Sequence, residues 1–180
     1  WFLDIVHPLP LTVTVRCSTS KTLDTVLMKA VQEMDTSRTL NVIASDHVTD
    51  MTMQVNEDEA FITDPISVFR YIGRLCRLYH IDPEHAAVVD SFLQLVSTVK
   101  TDKDAEQAMS QLEVMLHKSE YHPSWMGNFS EKTIADWAWY ATLMWAFEKY
   151  PDVYKMLPEH PMLEEWWDYV RDDEEEEEEG

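Results

Sequence analysis

The first eighty residues alternate between strand-like and helix-like hydrophobic patterns. Residues 11–15 alternate apolar and polar side chains with β-branched content, as a half-buried strand does. Later apolar runs flank the polar segment 56–59, which is typical of a hairpin. The predicted elements are strands at 11–15, 40–44, 51–55 and 60–62 and helices at 23–31 and 65–79. This order predicts an α/β lobe over residues 11–79, preceded by an N-terminal extension at residues 1–10.

After Tyr79 the pattern becomes helical throughout. Asp82 followed by Pro83 is a typical helix start, with a capping carboxylate and a proline at the first helical position. Thr101 and Asp102 are expected to cap a second helix. A last amphipathic helix is predicted at residues 162–170. Residues 82–170 are therefore expected to form an all-helical lobe.

One helix of this second lobe is apolar on nearly every side. Thr133 and Asp136 match a capping box, with aspartate in the usual place of glutamate. The helix behind them continues through about Phe147 and carries large apolar residues at most positions. A helix without a polar face belongs at the centre of a bundle.

The charge of the chain excludes some functions. Its 34 acids and 14 bases give a net charge of −20, and the acids include every residue from 172 to 179. A dense run of like charges predicts a solvated acidic linker at residues 171–180. An acidic surface repels phosphates, so we expect no direct nucleic-acid binding. No apolar run approaches the roughly 20 residues of a membrane helix, so no membrane partner is expected.

Cofactor chemistry finds little support in the sequence. The two cysteines, Cys17 and Cys76, form neither a disulfide framework nor a metal-binding cluster. A reducing, cytoplasmic location is therefore expected. Histidines and acids do not recur at metal-ligand spacings, and a glycine-rich phosphate loop is absent. The sequence predicts no cofactor and no metal.

Three stretches of the chain resemble the glutathione transferase superfamily. They are FITDPISVFRYIGRL at 61–75, GNFSEKTIADWAWYATL at 127–143 and HPMLEEWWDYV at 160–170. Their order and spacing match that superfamily over nearly the whole chain. The resemblance implies a thioredoxin-like α/β lobe followed by an all-α bundle, which is the fold that the hydrophobic pattern also predicts.

Within the superfamily, the motif F-x-TD…S-x-x-RYI-x-R is most similar to the non-catalytic N-terminal domain of glutamyl-tRNA synthetases. Related domains occur on other synthetases, on their scaffold proteins and on elongation factor 1. The resemblance implies a domain that assembles a synthetase or a scaffold into a multi-synthetase complex by binding other domains of this fold, and it leaves a homodimer open. The chain lacks the signatures of a class I synthetase site, so any amino-acid activation would belong to a longer parent protein.

The same resemblance implies that the glutathione site is lost. Transferases hold the γ-glutamyl carboxylate with a hydroxyl and a backbone N–H at the start of the helix that ends the α/β lobe, where this chain has Pro65. Proline offers neither donor. The family's cis-proline is missing as well, because residues 35–64 contain no proline. The alternative is a glutathione-dependent thiol transferase that uses Cys17, which is expected after the first strand, where a helix N-terminus would lower its pKa.

The resemblance implies two candidate surfaces for partner binding. The first is the helix at 65–79, with Phe69 and three basic residues, Arg70, Arg74 and Arg77; a merely solvated face is the alternative for the arginines. The second is the closing helix, with Glu164, Glu165, Trp166 and Trp167. One of these two tryptophans is expected in the core and the other as an exposed anchor. The resemblance places arginine in several relatives where this chain has Glu165. The charges of Glu164 and Glu165 predict a partner that presents lysine or arginine.

Overall fold

The computed structural model describes residues 13–18, 40–45, 52–55, 61–79, 81–117, 125–127 and 129–179. The chain divides into two compact units, Trp1–Arg77 and Leu78–Gly180. The predicted N-terminal extension, the helix at 23–31 and the hairpin turn at 56–59 lie outside the described residues.

The first unit contains a four-stranded sheet in the order β2-β1-β3-β4. Its strands are β1 (Val13–Ser18), β2 (Leu40–Ser45), β3 (Thr52–Val55) and β4 (Phe61–Ile62). Strand β1 runs parallel to β2 and antiparallel to β3, and Val15 lies opposite Val42 on one side and Met53 on the other. Val13, Val15 and Met53 are fully buried, so the alternation in the sequence does mark the inner face of the sheet.

Helix α1 (Pro65–Leu75) follows β4 almost directly. Val68, Phe69 and Ile72 form its buried side. The helix ends four residues before the predicted boundary at Tyr79, because Arg77 adopts a left-handed φ of 60°. Its N–H bonds to the carbonyl oxygen of Arg74 at 3.3 Å, which closes the last turn.

The second unit is helical, as predicted. Its elements are α2 (Pro83–Val96), α3 (Asp102–His117), α4 (Ile134–Lys149), α5 (Pro151–Tyr154), a 3₁₀ turn (Leu157–Glu159) and α6 (Pro161–Glu179). The predicted start of α2 is confirmed: the Asp82 carboxylate accepts hydrogen bonds from the N–H groups of Glu84 and His85 at 3.0 and 3.1 Å. The capping box at the start of α4 is confirmed as well.

The end of the closing helix differs from the prediction. Helix α6 continues to Glu179 through the segment that was predicted as an acidic linker. Glutamate is a good helix former, and this preference outweighs the mutual repulsion on which the prediction relied. Among the residues that the structure describes, no helix combines the length and the apolar content of a membrane span.

Helix α4 is the centre of the second unit. Trp139 and Leu143 are almost completely buried, and the Trp139 indole N–H donates to the carbonyl oxygen of Phe92 at 3.1 Å. This hydrogen bond satisfies the polar atom of a buried indole and ties α4 to the end of α2. The prediction of a central helix is confirmed. One side of α4 nevertheless reaches the surface at Met144, which is 48 % exposed.

Candidate functional site

The N-terminus of α1 is the place where the resemblance locates the grip on an anionic ligand. Here the Asp64 carboxylate accepts hydrogen bonds from the N–H and the hydroxyl of Ser67, at 2.8 and 2.7 Å. The N–H of Val68 bonds to the Asp64 carbonyl at 3.0 Å, and Pro65 has no N–H. The hydrogen-bond donors of the first helical turn are therefore already engaged by the chain's own aspartate. A second carboxylate at this position would meet the charge of Asp64.

The position predicted for Cys17 requires a correction. The sequence placed it after the first strand, but β1 extends to Ser18, and Cys17 is paired with Ala44 in the parallel ladder to β2. The backbone of Cys17 thus belongs to the sheet, and the prediction that it follows the strand is wrong. The reason is that the alternation of apolar and polar residues continues beyond Val15 through Arg16, Cys17 and Ser18, so the strand is longer than the predicted segment 11–15.

The four residues predicted for partner binding on the first surface have different environments. Phe69 is only 2 % exposed, so its ring belongs to the core of the first unit and offers no contact surface. Arg74 and Arg77 are exposed, and Arg70 is half-buried. Arg70 and Arg74 each take part in an interaction within the chain. Of this set, Arg74 and Arg77 at the end of α1 reach the surface.

On α6, the prediction of one exposed tryptophan is wrong. Trp166 and Trp167 are 3 % and 4 % exposed. The ring of Trp167 packs between Tyr140 and Phe147, with centroid distances of 5.2 and 5.1 Å. Adjacent positions differ by 100° around a helix, yet both side chains are buried because each finds aromatic or polar partners on its own side. Glu165 is exposed and Glu164 half-buried, so the acidic part of the predicted surface is accessible.

Asp136 is the centre of a buried polar network that the sequence revealed only in part. Its carboxylate accepts hydrogen bonds from the N–H of Met126 at 2.7 Å, from the N–H and hydroxyl of Thr133 at 2.9 and 3.0 Å, and from the Trp166 indole N–H at 3.0 Å. Burial raises the pKa of Asp136 to about 6, although all these hydrogen bonds act in the opposite direction. The capping box predicted the Thr133 contacts. The contact with Trp166 spans thirty residues.

A second acid positions the closing helix. The carboxylate of Glu113 on α3 accepts hydrogen bonds from the N–H groups of Met162 and Leu163, both at 3.0 Å from Oε2. It thereby caps α6 from another helix, where the negative charge is favoured by the helix dipole. The sequence reasoning missed this contact. The available signal was the start of α6, where Pro161 is preceded by a histidine rather than by a capping residue.

The described residues offer no metal centre. None of them forms a group of three or more histidine, cysteine, aspartate or glutamate side chains that could hold an ion. The polar clusters that are present, around Asp136 and Glu113, bind backbone and indole N–H groups of the chain. They stabilise the second unit.

No protein-family model and no curated protein matches this sequence. Solved structures do match. A Pi-class glutathione S-transferase of Onchocerca volvulus has a TM-score of 0.65 at 14 % identity, covering 89 % of this chain and 88 % of that one. A glutathione S-transferase of Methylobacillus flagellatus with glutathione bound has 0.65 at 12 %, covering 88 % and 94 %. A glutathione transferase homolog of Lodderomyces elongisporus, with two glutathione molecules per subunit, has 0.65 at 10 %, covering 88 % and 92 %.

These likenesses concern the fold. At such low identities they carry over neither the ligands nor the reactions of the matched proteins. They do agree with the predicted fold class. The chain has the glutathione transferase fold, with a thioredoxin-like lobe followed by an all-α bundle.

Proposed function

We propose that the chain is a non-catalytic, cytoplasmic interaction domain with the glutathione transferase fold, which assembles an aminoacyl-tRNA synthetase, of glutamyl type by preference, or an associated scaffold into a multi-synthetase complex. The proposal that the chain is non-catalytic rests on the N-terminus of α1, where the hydrogen-bond donors are absent or already engaged. There Pro65 supplies no donor and the Asp64 carboxylate already occupies the Ser67 N–H and hydroxyl. The assignment to a synthetase complex rests on the sequence motif around Arg70, Tyr71 and Ile72.

The lack of free donors at the N-terminus of α1 has a large effect on the binding free energy of an anion. A hydrogen bond to a charged ligand contributes about 1.5–3 kcal/mol, and an anion at this position would lack two of them. The loss corresponds to a factor of about 10² to 10⁴ in affinity. The like charge of Asp64 adds to this penalty. Glutathione in the millimolar range is therefore not expected to saturate the chain.

One finding favours the alternative, a glutathione-dependent thiol transferase. Two of the matched structures contain glutathione, so proteins of this fold do bind it. The alternative needs a nucleophile, and Cys17 is its candidate. The position of Cys17 within β1 does not support a thiolate at a helix N-terminus. The two functions can be separated by one measurement.

The glutathione test uses calorimetry with reduced glutathione, together with turnover of a chromogenic electrophile. We expect neither heat of binding at millimolar ligand nor turnover above the uncatalysed rate. The double variant Asp64→Gln, Pro65→Ser restores a neutral residue and a hydroxyl at the helix start, and it should bind glutathione at least about tenfold better than the original chain. Saturable binding by the original chain would contradict the proposal and favour the transferase.

The partner test uses recombinant domains of the same fold from glutamyl- and methionyl-tRNA synthetases. We expect one of them to form a complex that the charge reversal Glu165→Lys weakens, because like charges then face each other. Glu131→Lys, which reverses another exposed acid of the second unit, is the matched control and should leave the complex unchanged. Equal binding by both variants would count against the role of α6.

A further inference from the structure

One side of the otherwise buried helix α4 reaches the surface. Ten of its sixteen residues are buried. Tyr140 and Phe147 are half-buried, and Met144 between them is 48 % exposed. Positions i, i+4 and i+7 lie on the same side of a helix, so these three side chains form one stripe about 10 Å long. This central helix therefore carries an apolar stripe that the rest of the chain covers only in part.

The stripe continues onto two neighbouring helices through ring contacts. The Trp167 ring lies 5.2 Å from Tyr140 and 5.1 Å from Phe147. On the other side, Phe147 packs edge-on against Tyr154 of α5 at 5.0 Å, and Tyr154 is 49 % exposed. We call the four residues Tyr140, Met144, Phe147 and Tyr154 the aromatic ridge; the buried Trp167 ring packs against two of them. These rings hold one another in place, so a ligand would find the surface already ordered.

The surroundings of the aromatic ridge are acidic. Residues 147–172 contain seven acids and three bases. Each of the bases is engaged within the chain: Lys149 lies over the Trp145 ring at 4.7 Å, Lys155 pairs with Asp152 at 2.6 Å, and Arg171 pairs with Asp168 at 3.1 Å.

Two acids flank the aromatic ridge directly. Glu148, one turn beyond Met144 on α4, is exposed, and Glu164, one turn before Trp167 on α6, is half-buried. A partner surface with positive charge is therefore favoured. A second copy of this chain, with its net charge of −20, is disfavoured as an occupant.

We propose that the aromatic ridge binds an amphipathic helix of a partner protein, with leucine-like residues on its inner face and lysine or arginine beside them. Methionine and aromatic side chains are typical of grooves that accept such helices, because they adapt to the shape of apolar anchors. Anchors spaced i and i+4 would follow the two-turn stripe of α4. The ridge contacts Trp167 and is flanked by Glu164, two residues of the closing-helix surface, but it involves neither the start of α1 nor Glu165, so the peptide test can fail while the glutathione and Glu165→Lys tests succeed.

The test uses a labelled synthetic peptide of about 18 residues, built from leucine and lysine with leucine at helical spacing. A scrambled peptide of the same composition and charge is the control for charge alone. Fluorescence anisotropy with the full 180-residue chain measures both. We expect the patterned peptide to bind at least about tenfold more tightly than the scrambled one. Equal affinities would overturn the proposal, because they would show attraction by charge without an apolar site.

Substitutions separate the two forces further, because Met144→Glu removes an apolar contact and adds a negative charge. Binding to the aromatic ridge should weaken at least about tenfold, whereas binding by charge alone would be kept or strengthened. Val114→Glu on α3, where the residue is 57 % exposed, adds the same charge elsewhere and should not weaken binding. Tyr154→Ala serves as a second variant should Met144→Glu unfold the chain. Unchanged affinity in a folded variant would overturn the proposal.

Light scattering tests whether a second copy of the chain, rather than a partner helix, binds to the aromatic ridge. We expect the chain without peptide to show the same mass before and after Met144→Glu. A dimer that this substitution dissociates would overturn the proposal, since the aromatic ridge would then bind a second copy.

Discussion

The indole N–H of Trp166 on α6 donates a hydrogen bond to Oδ1 of Asp136 at the start of α4, across 3.0 Å. Both residues are buried, at 3 % and 0 % exposure. Asp136 also completes the capping box of α4, so the same carboxylate starts the central helix and anchors the closing helix. The order of α6 is thereby coupled to the helix start that the sequence motif encodes.

The first prediction concerns this hydrogen bond. Trp166→Phe keeps an aromatic ring but removes the donor, and we expect the free energy of unfolding to fall by about 2–4 kcal/mol, from the lost bond and the lost volume. Trp167→Phe removes a similar volume from the neighbouring buried position and is the matched control. Urea denaturation followed by circular dichroism measures both variants. If the two lose the same stability, the contact with Asp136 contributes nothing of its own.

The second prediction follows from the pKa of Asp136, which burial raises from the ordinary 3.8 to about 6. Between these values the folded chain holds a proton that the unfolded chain has released. The contribution of Asp136 to stability is therefore greatest below pH 3.8 and declines as the pH rises through about 6, by on the order of 3 kcal/mol.

The many other carboxylates of the chain also titrate in this range, so the useful quantity is a difference. It is the free energy of unfolding of the original chain minus that of Asp136→Asn. This difference should decrease between pH 4 and pH 7 and then level off. A difference that stays constant over the same range would contradict the raised pKa.

Local signals in the sequence predicted much of the fold, and long-range contacts explain what it missed. The capping box at Thr133 and the proline-led start of α2 are encoded within four residues, and both were predicted correctly. The burial of both Trp166 and Trp167 depends on Asp136 and on the rings of α4, thirty and about twenty residues away, so a pattern within α6 could not reveal it.

At the candidate site, too, some features could be predicted from the sequence and others required the structure. The loss of donors at Pro65 was readable directly, because it follows from a residue type. The role of Asp64 as the cap that occupies Ser67 needed the structure. The exposure of Met144 could not be predicted either, since an all-apolar helix carries no polar stripe to mark the side that its own chain leaves uncovered.

The third prediction tests the end of α1. Arg77 has a φ of 60°, a conformation that costs a residue with a side chain about 1 kcal/mol and costs glycine very little. Arg77→Gly should therefore raise the free energy of unfolding by up to about 1 kcal/mol. Arg74→Gly, within the last turn of the same helix, should lower it by about 1 kcal/mol. Opposite signs are expected in urea denaturation, and a loss of stability in both variants would speak against the left-handed cap.

The fourth prediction concerns the turn before α4, where Gly127 has a φ of 85° between the bridged residues Trp125 and Phe129. A Cβ atom at Gly127 would lie 2.5 Å from Cε2 of Phe129 and 2.8 Å from Cγ1 of Val88. Gly127→Ala thus combines a strained backbone with a collision on two sides. We expect a loss of about 2–4 kcal/mol in the free energy of unfolding.

Ser130→Ala, at an exposed position three residues further along, is the control for the Gly127 substitution and should change the stability by less than about 0.5 kcal/mol. Thermal unfolding of both variants at one pH gives the comparison. The N–H of Met126, next to Gly127, donates to Asp136, so the damage should extend to the start of α4. Hydrogen exchange at the first turn of α4 should then accelerate in Gly127→Ala. Unaltered exchange there, with reduced overall stability, would show that the turn and the helix start are not coupled.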